Sequence, residues 1–194
     1  AEMIDVLNTL ALLGNFILVP GLAYGSQLAL GALGITLIYG ILRFSNLAHG
    51  ETMSFGAMIT ILVTWAMQAN GINFHPLPTA LLAIPFGIVG AVALCLLIDR
   101  VVYRYYRQQR SSSSIYLIVS IGVMLIIGGL IRFVIGPGDR KITDGERFII
   151  KARTFKEMTG LSEGLAIKTT QGVTVVTVII VVTFVFWFLN RTRT

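Results

Sequence analysis

YGILRFSNLAHGETMSFG, residues 39–56, sets an arginine, an asparagine, a histidine and a glutamate within nine positions, between two long apolar runs. Three readings of its chemistry stand side by side. In the first it is a tight turn, with Asn46 and Gly50 suited to positive φ, Ser45 or Asn46 starting the turn, and Arg43 reaching the headgroups. In the second, Thr52 or Ser54 opens the next helix and Glu51 lies near its positive end. In the third it is a re-entrant segment whose irregular backbone lines a watery cavity, the setting in which such backbone is tolerated at membrane depth.

The runs on either side decide the fold class. The chain has 194 residues, 55% hydrophobic and 12% charged, with a mean hydropathy of +0.83, against roughly 25% charged in ordinary soluble domains. A helix needs about 20 mostly apolar residues to cross the hydrocarbon layer, because its backbone must satisfy itself there. Several such segments are present. The expected fold is therefore all-α: a polytopic membrane helical bundle with five full transmembrane helices, a short N-terminal interfacial helix and a small external lobe.

Residues 6–42 carry no charge, a length of about 55 Å as helix, too long for one upright span. Pro20 and Gly21 offer a break, so residues 6–19 are read as the short helix and 21–42 as the first span. The others are predicted near 52–69, 78–98, 115–135 and 171–189. Pro85 is expected to kink its span, SSSS at 111–114 to link and cap the next, and Gly21, Gly25, Gly31 and Gly34 to let another helix approach. The opening AEMID has neither a basic region nor a cleavage site after it, so no removable leader is expected.

Basic residues in short loops resist translocation. DRVVYRYYRQQR, 99–110, carries Arg100, Arg104, Arg107 and Arg110, whereas NGINFHPLP, 70–78, carries no lysine or arginine. The loop 99–114 is therefore expected to be cytoplasmic, with Arg43 and the terminal NRTRT on the same side and Trp187 near that interface. Segment 136–170 is then external, opening on GPGD. The net charge of +6 follows from this distribution and does not indicate nucleic acid.

Several chemistries are missing. There is no Gly-Lys pair and hence no phosphate-cradling Gly-x-x-x-x-Gly-Lys-Ser/Thr motif. His49, His75 and Cys95 lie on different segments and do not form a zinc set. No histidine or carboxylate falls well inside a span, so neither a catalytic nor a metal site is expected.

The longer stretch LGALGITLIYGILRFSNLAHGETMSFGAM resembles the N-terminal signature of the permease subunits of branched-chain amino acid ABC importers. Gly34, Tyr39, Gly40, Asn46, Ala48, His49, Gly50, Glu51, Gly56 and Ala57 match in order and spacing. LIDRVVYRYYR is similar to the family's acidic-Arg-x-x-Tyr-Arg segment through Asp99, Arg100, Tyr103, Arg104 and Arg107, with Tyr105 and Tyr106 in place of Pro-Leu. IGPGDR looks like the opening of its periplasmic loop. The resemblance is strongest over about 15–140.

It implies a bacterial inner-membrane permease subunit working by alternating access on branched-chain or other neutral amino acids. The implied partners are a second permease, two cytoplasmic ATPases and a periplasmic substrate-binding protein, with ATP and Mg in the partners and no cofactor in this chain. Residues 1–194 then form a single membrane permease domain, incomplete because family members continue into a cytoplasmic coupling helix. Substrate-path candidates are Ser26, Thr36, Asn46 and Ser54, and His49 and Glu51 are expected to shape the junction. The alternatives are a urea or short-amide permease and a structural membrane protein that transports nothing.

Overall fold

Apolar runs with no competing turn chemistry close their backbone hydrogen bonds locally, and the result is helix. The computed structural model describes residues 2–74, 77–138, 140, 147–160, 164 and 166–191. The elements are α1 (Glu2–Leu13), a π-turn (Gly14–Leu18), α2 (Val19–Leu42), α3 (His49–Ala69) and α4 (Ala80–Ile98). A second π-turn (Asp99–Tyr103), α5 (Arg104–Gln108), α6 (Ser113–Ile135), β1 (Phe148–Ile150), α7 (Ala152–Thr159), β2 (Ile167–Lys168) and α8 (Thr169–Arg191) follow. Among the described residues five helices are long and apolar enough to cross a membrane: Ile4–Ile41, His49–Ala69, Ala80–Gln108, Ser113–Ile135 and Thr169–Arg191. This is an all-α polytopic membrane protein.

Two expected boundaries move, both at π-turns. Pro20 and Gly21 do not break the first apolar run, because the Val19 N–H bonds back five residues to Gly14 O. That wider turn loosens the ladder just before Pro20, which has no N–H to give and so continues the helix. The segment carrying Arg100, Arg104, Arg107 and Arg110 is also not a loop. Helix continues through the second π-turn to Gln108, since arginine and glutamine are good helix formers. Of the four arginines only Arg110 lies beyond it, at φ 50°.

The chain divides into two compact units, residues 1–34 with 146–194, and residues 35–145. In the first, β1 and β2 pair antiparallel, with Phe148 opposite Lys168 and Ile150 opposite Ile167, and both strands pack on α8. Gly160, at φ +69°, ends α7 by bonding its N–H to Lys156 O at 2.8 Å. The Asn15 amide oxygen accepts the Ala166 N–H at 3.2 Å. Arg191 lies over the Trp187 ring, 5.8 Å from its centroid, placing a cation and an aromatic side chain at the end of α8.

In the second unit α3 packs on α4 and α6. The α3–α4 seam rests on glycine. A Cβ on Gly56 would lie 3.2 Å from Ala91 Cβ and 3.3 Å from Gly87 O, and one on Gly87 would strike Thr60 Oγ1 and come within 2.7 Å of Gly56 O. By contrast Gly21, Gly25 and Gly31 face open space among the described residues, so the close approach of α3 and α4 rests on Gly56 and Gly87 and not on these three. Pro85 lies inside α4. Ser112 takes the N-cap position of α6 but makes no side-chain cap bond. At the far end of α6, Gly136 (φ +81°) bonds its N–H to Arg132 O, and the Arg140 guanidinium donates to Ile135 O while lying over Trp65. His75, Asp139, Lys141, Arg193 and the acids of 144, 146 and 163 lie outside the described residues.

Candidate functional site at the junction of α2 and α3

α2 ends where Arg43 turns left-handed, at φ 59°, and bonds its N–H to Tyr39 O at 2.9 Å. The positive φ expected of Asn46 or Gly50 thus falls on Arg43, and Gly50 is helical. Asn46 is used differently. Its side-chain oxygen accepts the Ala48 N–H at 3.1 Å, an Asx-type turn into the free N-terminus of α3. The same oxygen accepts the Tyr103 hydroxyl at 3.2 Å, from a π-turn 57 positions further on. α3 itself begins at His49, earlier than Thr52 or Ser54, and carries Glu51 in its first turn, where a carboxylate is favoured by the helix's unpaired N–H groups.

Long-range packing then fixes this turn. Ser120 of α6, fully buried, accepts the Leu47 N–H at 3.2 Å and donates to Leu117 O at 2.7 Å. Phe44 stacks on Tyr116 with centroids 4.9 Å apart and meets Tyr103 at 5.6 Å. Ala48 is 2% exposed and packs in one core with Val123 and Ile127. Gly128 of α6 has the Glu51 carboxylate against it, since an added Cβ would sit 3.3 Å from Glu51 Cδ. Sequence reasoning had Tyr103 only through its motif, and Ser120 carries no more signal than any serine of a span. Phe44, Tyr116 and Gly128 left no signal beyond hydrophobicity or helix packing.

Beside this junction lies a cavity of ≈ 400 Å³ lined by Thr36, Tyr39, Phe44, Asn46, His49 and Gly50 among others, inside the roughly 300–1,000 Å³ range of small-molecule sites. Among the described residues its wall contains no Asp, Glu, Lys or Arg. The hydroxyls of Thr36 and Tyr39, the Asn46 amide and the His49 ring supply polar atoms among apolar side chains. Because the Asn46 oxygen is already committed twice, its NH₂ is the half of that amide left to face a ligand. His49 Nε2 is buried without a hydrogen-bond partner among the described residues.

The four path candidates therefore separate. Thr36 and Asn46 share the cavity wall with Tyr39, His49 and Gly50. Ser54 is exposed on α3 and returns its hydroxyl to Gly50 O of its own helix at 3.1 Å. Ser26 is half-buried on α2 within the other unit, and Gly40 is exposed with open space about it. Arg100, Arg104 and Arg107 border a different cleft. Among the described residues no cluster of three or more His, Cys, Asp or Glu could hold a metal ion.

A family model described as branched-chain amino acid transport system / permease component matches residues 17–194. Over 123 residues the chain is 32% identical to the high-affinity branched-chain amino acid transport system permease protein LivH of Escherichia coli K12, covering 61% of this chain and 38% of that protein. LivH of Salmonella typhimurium gives the same identity and coverage. BraD of Pseudomonas aeruginosa, named as a permease protein of the same kind of system, is 36% identical over 110 residues, 57% of this chain and 35% of BraD. The matched region thus spans less than two fifths of these relatives. No solved structure matches.

Proposed function

The chain belongs to the branched-chain amino acid transport system permease family, and from that premise we propose that it is a transmembrane subunit of an ATP-driven importer of branched-chain or other neutral amino acids. The observation that carries the proposal is the uncharged, partly polar cavity at the signature junction. A zwitterion with an apolar side chain has no net charge, so a wall of hydroxyl, amide and imidazole groups set among apolar surface can hold it weakly without trapping it. Thr36, Tyr39 and Asn46 line the path. His49 and Glu51 shape the start of α3, whereas Ser26 and Ser54 are not among the residues that line the cavity.

Transport in this reading is alternating access, with the cavity opening to one side of the membrane at a time. ATP and Mg are held by two cytoplasmic ATPases, and a second permease and a periplasmic substrate-binding protein complete the assembly. This chain needs no cofactor and performs no covalent chemistry. It resides in the bacterial inner membrane as a single permease domain, with residues 99–114 and the C-terminal end cytoplasmic and 136–170 periplasmic.

The test is uptake by the complete complex in proteoliposomes. ATP-dependent accumulation of leucine or valine is expected, with Thr36→Val and Tyr39→Phe lowering the rate several-fold. Uptake of urea in place of leucine would reassign the substrate to small amides. No ATP-dependent uptake of leucine, valine, alanine or urea would leave a structural membrane protein as the better reading.

A further inference from the structure

A second cleft, separate from the junction cavity, lies where α4 runs on into its basic extension. It has a volume of ≈ 790 Å³ and is lined by Leu96, Asp99, Arg100, Arg104, Arg107 and Gln108. Two of its charges are already spent on one another. Arg107 grips Asp99 with both guanidinium nitrogens, at 2.6 and 2.7 Å, a bidentate pair eight residues apart that straddles the π-turn. Arg100 and Arg104 are exposed and make no hydrogen bond or ion pair with a described residue. With three guanidiniums and one carboxylate in its lining, and Arg104 also near enough to act on Asp99, the cleft carries a net positive charge of two.

What adjoins those charges indicates the kind of partner. Leu96 forms part of the same cleft and is 66% exposed. Further back along α4 at four-residue intervals, Val92 and Ile88 are exposed as well, so one helix face presents apolar surface that ends in a pair of arginines. An acidic protein surface would match the arginines but not the apolar approach. A lipid matches both: acyl chain along Ile88, Val92 and Leu96, phosphate at the guanidinium pair.

We propose that this cleft binds the headgroup of an anionic phospholipid, with Arg100 and Arg104 as the phosphate ligands and the Asp99–Arg107 pair holding the π-turn that presents them. Arginine suits this role because its planar fork of donors pairs with phosphate oxygens in bidentate fashion. Both arginines lie at the polar end of a membrane-spanning helix, the place where basic side chains recognise lipid phosphate.

Native mass spectrometry of the purified protein, released from nanodiscs of equal phosphatidylglycerol and phosphatidylcholine, tests this directly. Bound phosphatidylglycerol is expected in excess by roughly thirtyfold, on the scale of two surface arginines, and the excess is expected to fall to near parity in Arg100→Gln/Arg104→Gln. Arg153→Gln, on α7, should leave it unchanged, and Arg100→Lys/Arg104→Lys should keep part of it. No preference in the wild-type protein overturns the proposal without recourse to any variant. Equal displacement of the lipid by millimolar inorganic phosphate would make this a small-anion site and also overturn it. So would a glutamine variant that keeps its lipid preference but no longer retains the ATPase subunits, because the arginines would then serve a protein partner.

Discussion

Asn46 joins two parts of the chain with one oxygen atom, accepting the Ala48 N–H and the Tyr103 hydroxyl. Replacing it with alanine leaves both donors without that acceptor in a partly buried place, a loss of about 1–3 kcal/mol. Tyr103→Phe removes one of the two bonds and should cost about 0.5–1.5 kcal/mol. Because the residues share that bond, the double variant should lose less than the sum of the singles. Denaturation midpoints in detergent for the four proteins of the cycle measure this, and strict additivity would mean that the hydroxyl and the amide do not interact. Asn46 was legible in the sequence as a turn former and signature residue. Its partner was not, because a hydroxyl 57 positions away leaves no trace in local pattern. The sign of φ was misplaced for a related reason. Asparagine tolerates a left-handed backbone, but here its side chain is needed at the N-terminus of α3, and the turn out of α2 passes to Arg43.

At the scale of elements the hydropathy pattern located the helices well. The spans read near 52–69, 115–135 and 171–189 appear as α3, α6 and α8, each starting two or three residues earlier than expected and the last also ending two later. Length and apolarity are local properties, and helix is the local answer to an unsatisfied backbone. The two departures are both π-turns, where i→i+5 bonding absorbs an irregularity that sequence rules treat as an end. Helix packing was less legible, since glycine spacing shows where an approach is allowed and not where one occurs. Gly87→Val should destabilise the second unit by about 1–3 kcal/mol or more, because the new side chain meets the backbone oxygen of Gly56 across the α3–α4 seam. Gly25→Ala, in open space, should be neutral or gain up to about 1 kcal/mol from helix propensity. Denaturation midpoints for the two variants compare them, and equal losses would show that the seam is not where the structure has it.

For the whole molecule, the proposed orientation rests on where the arginines lie. A single cysteine at Tyr105→Cys, in a Cys95→Ser background, should resist an impermeant maleimide in intact cells and react in inverted vesicles. Labelling from outside would reverse the topology proposed for every span. Sequence by itself determined that the chain is a helical membrane protein, about where its five long helices lie though not where two of them end, and which stretch carries the family signature, because all three depend on residue order and local apolarity. Tertiary structure alone decided which polar groups satisfy one another: Leu47 with Ser120 across 73 positions, Asn46 with Tyr103, Glu51 against Gly128. It also decided that Thr36, Tyr39, Asn46 and His49 face a common cavity while Ser54 does not. The physical reason is that a buried polar atom must find a partner wherever the fold brings one within about 3 Å, and that meeting is a property of packed helices rather than of their order in the chain.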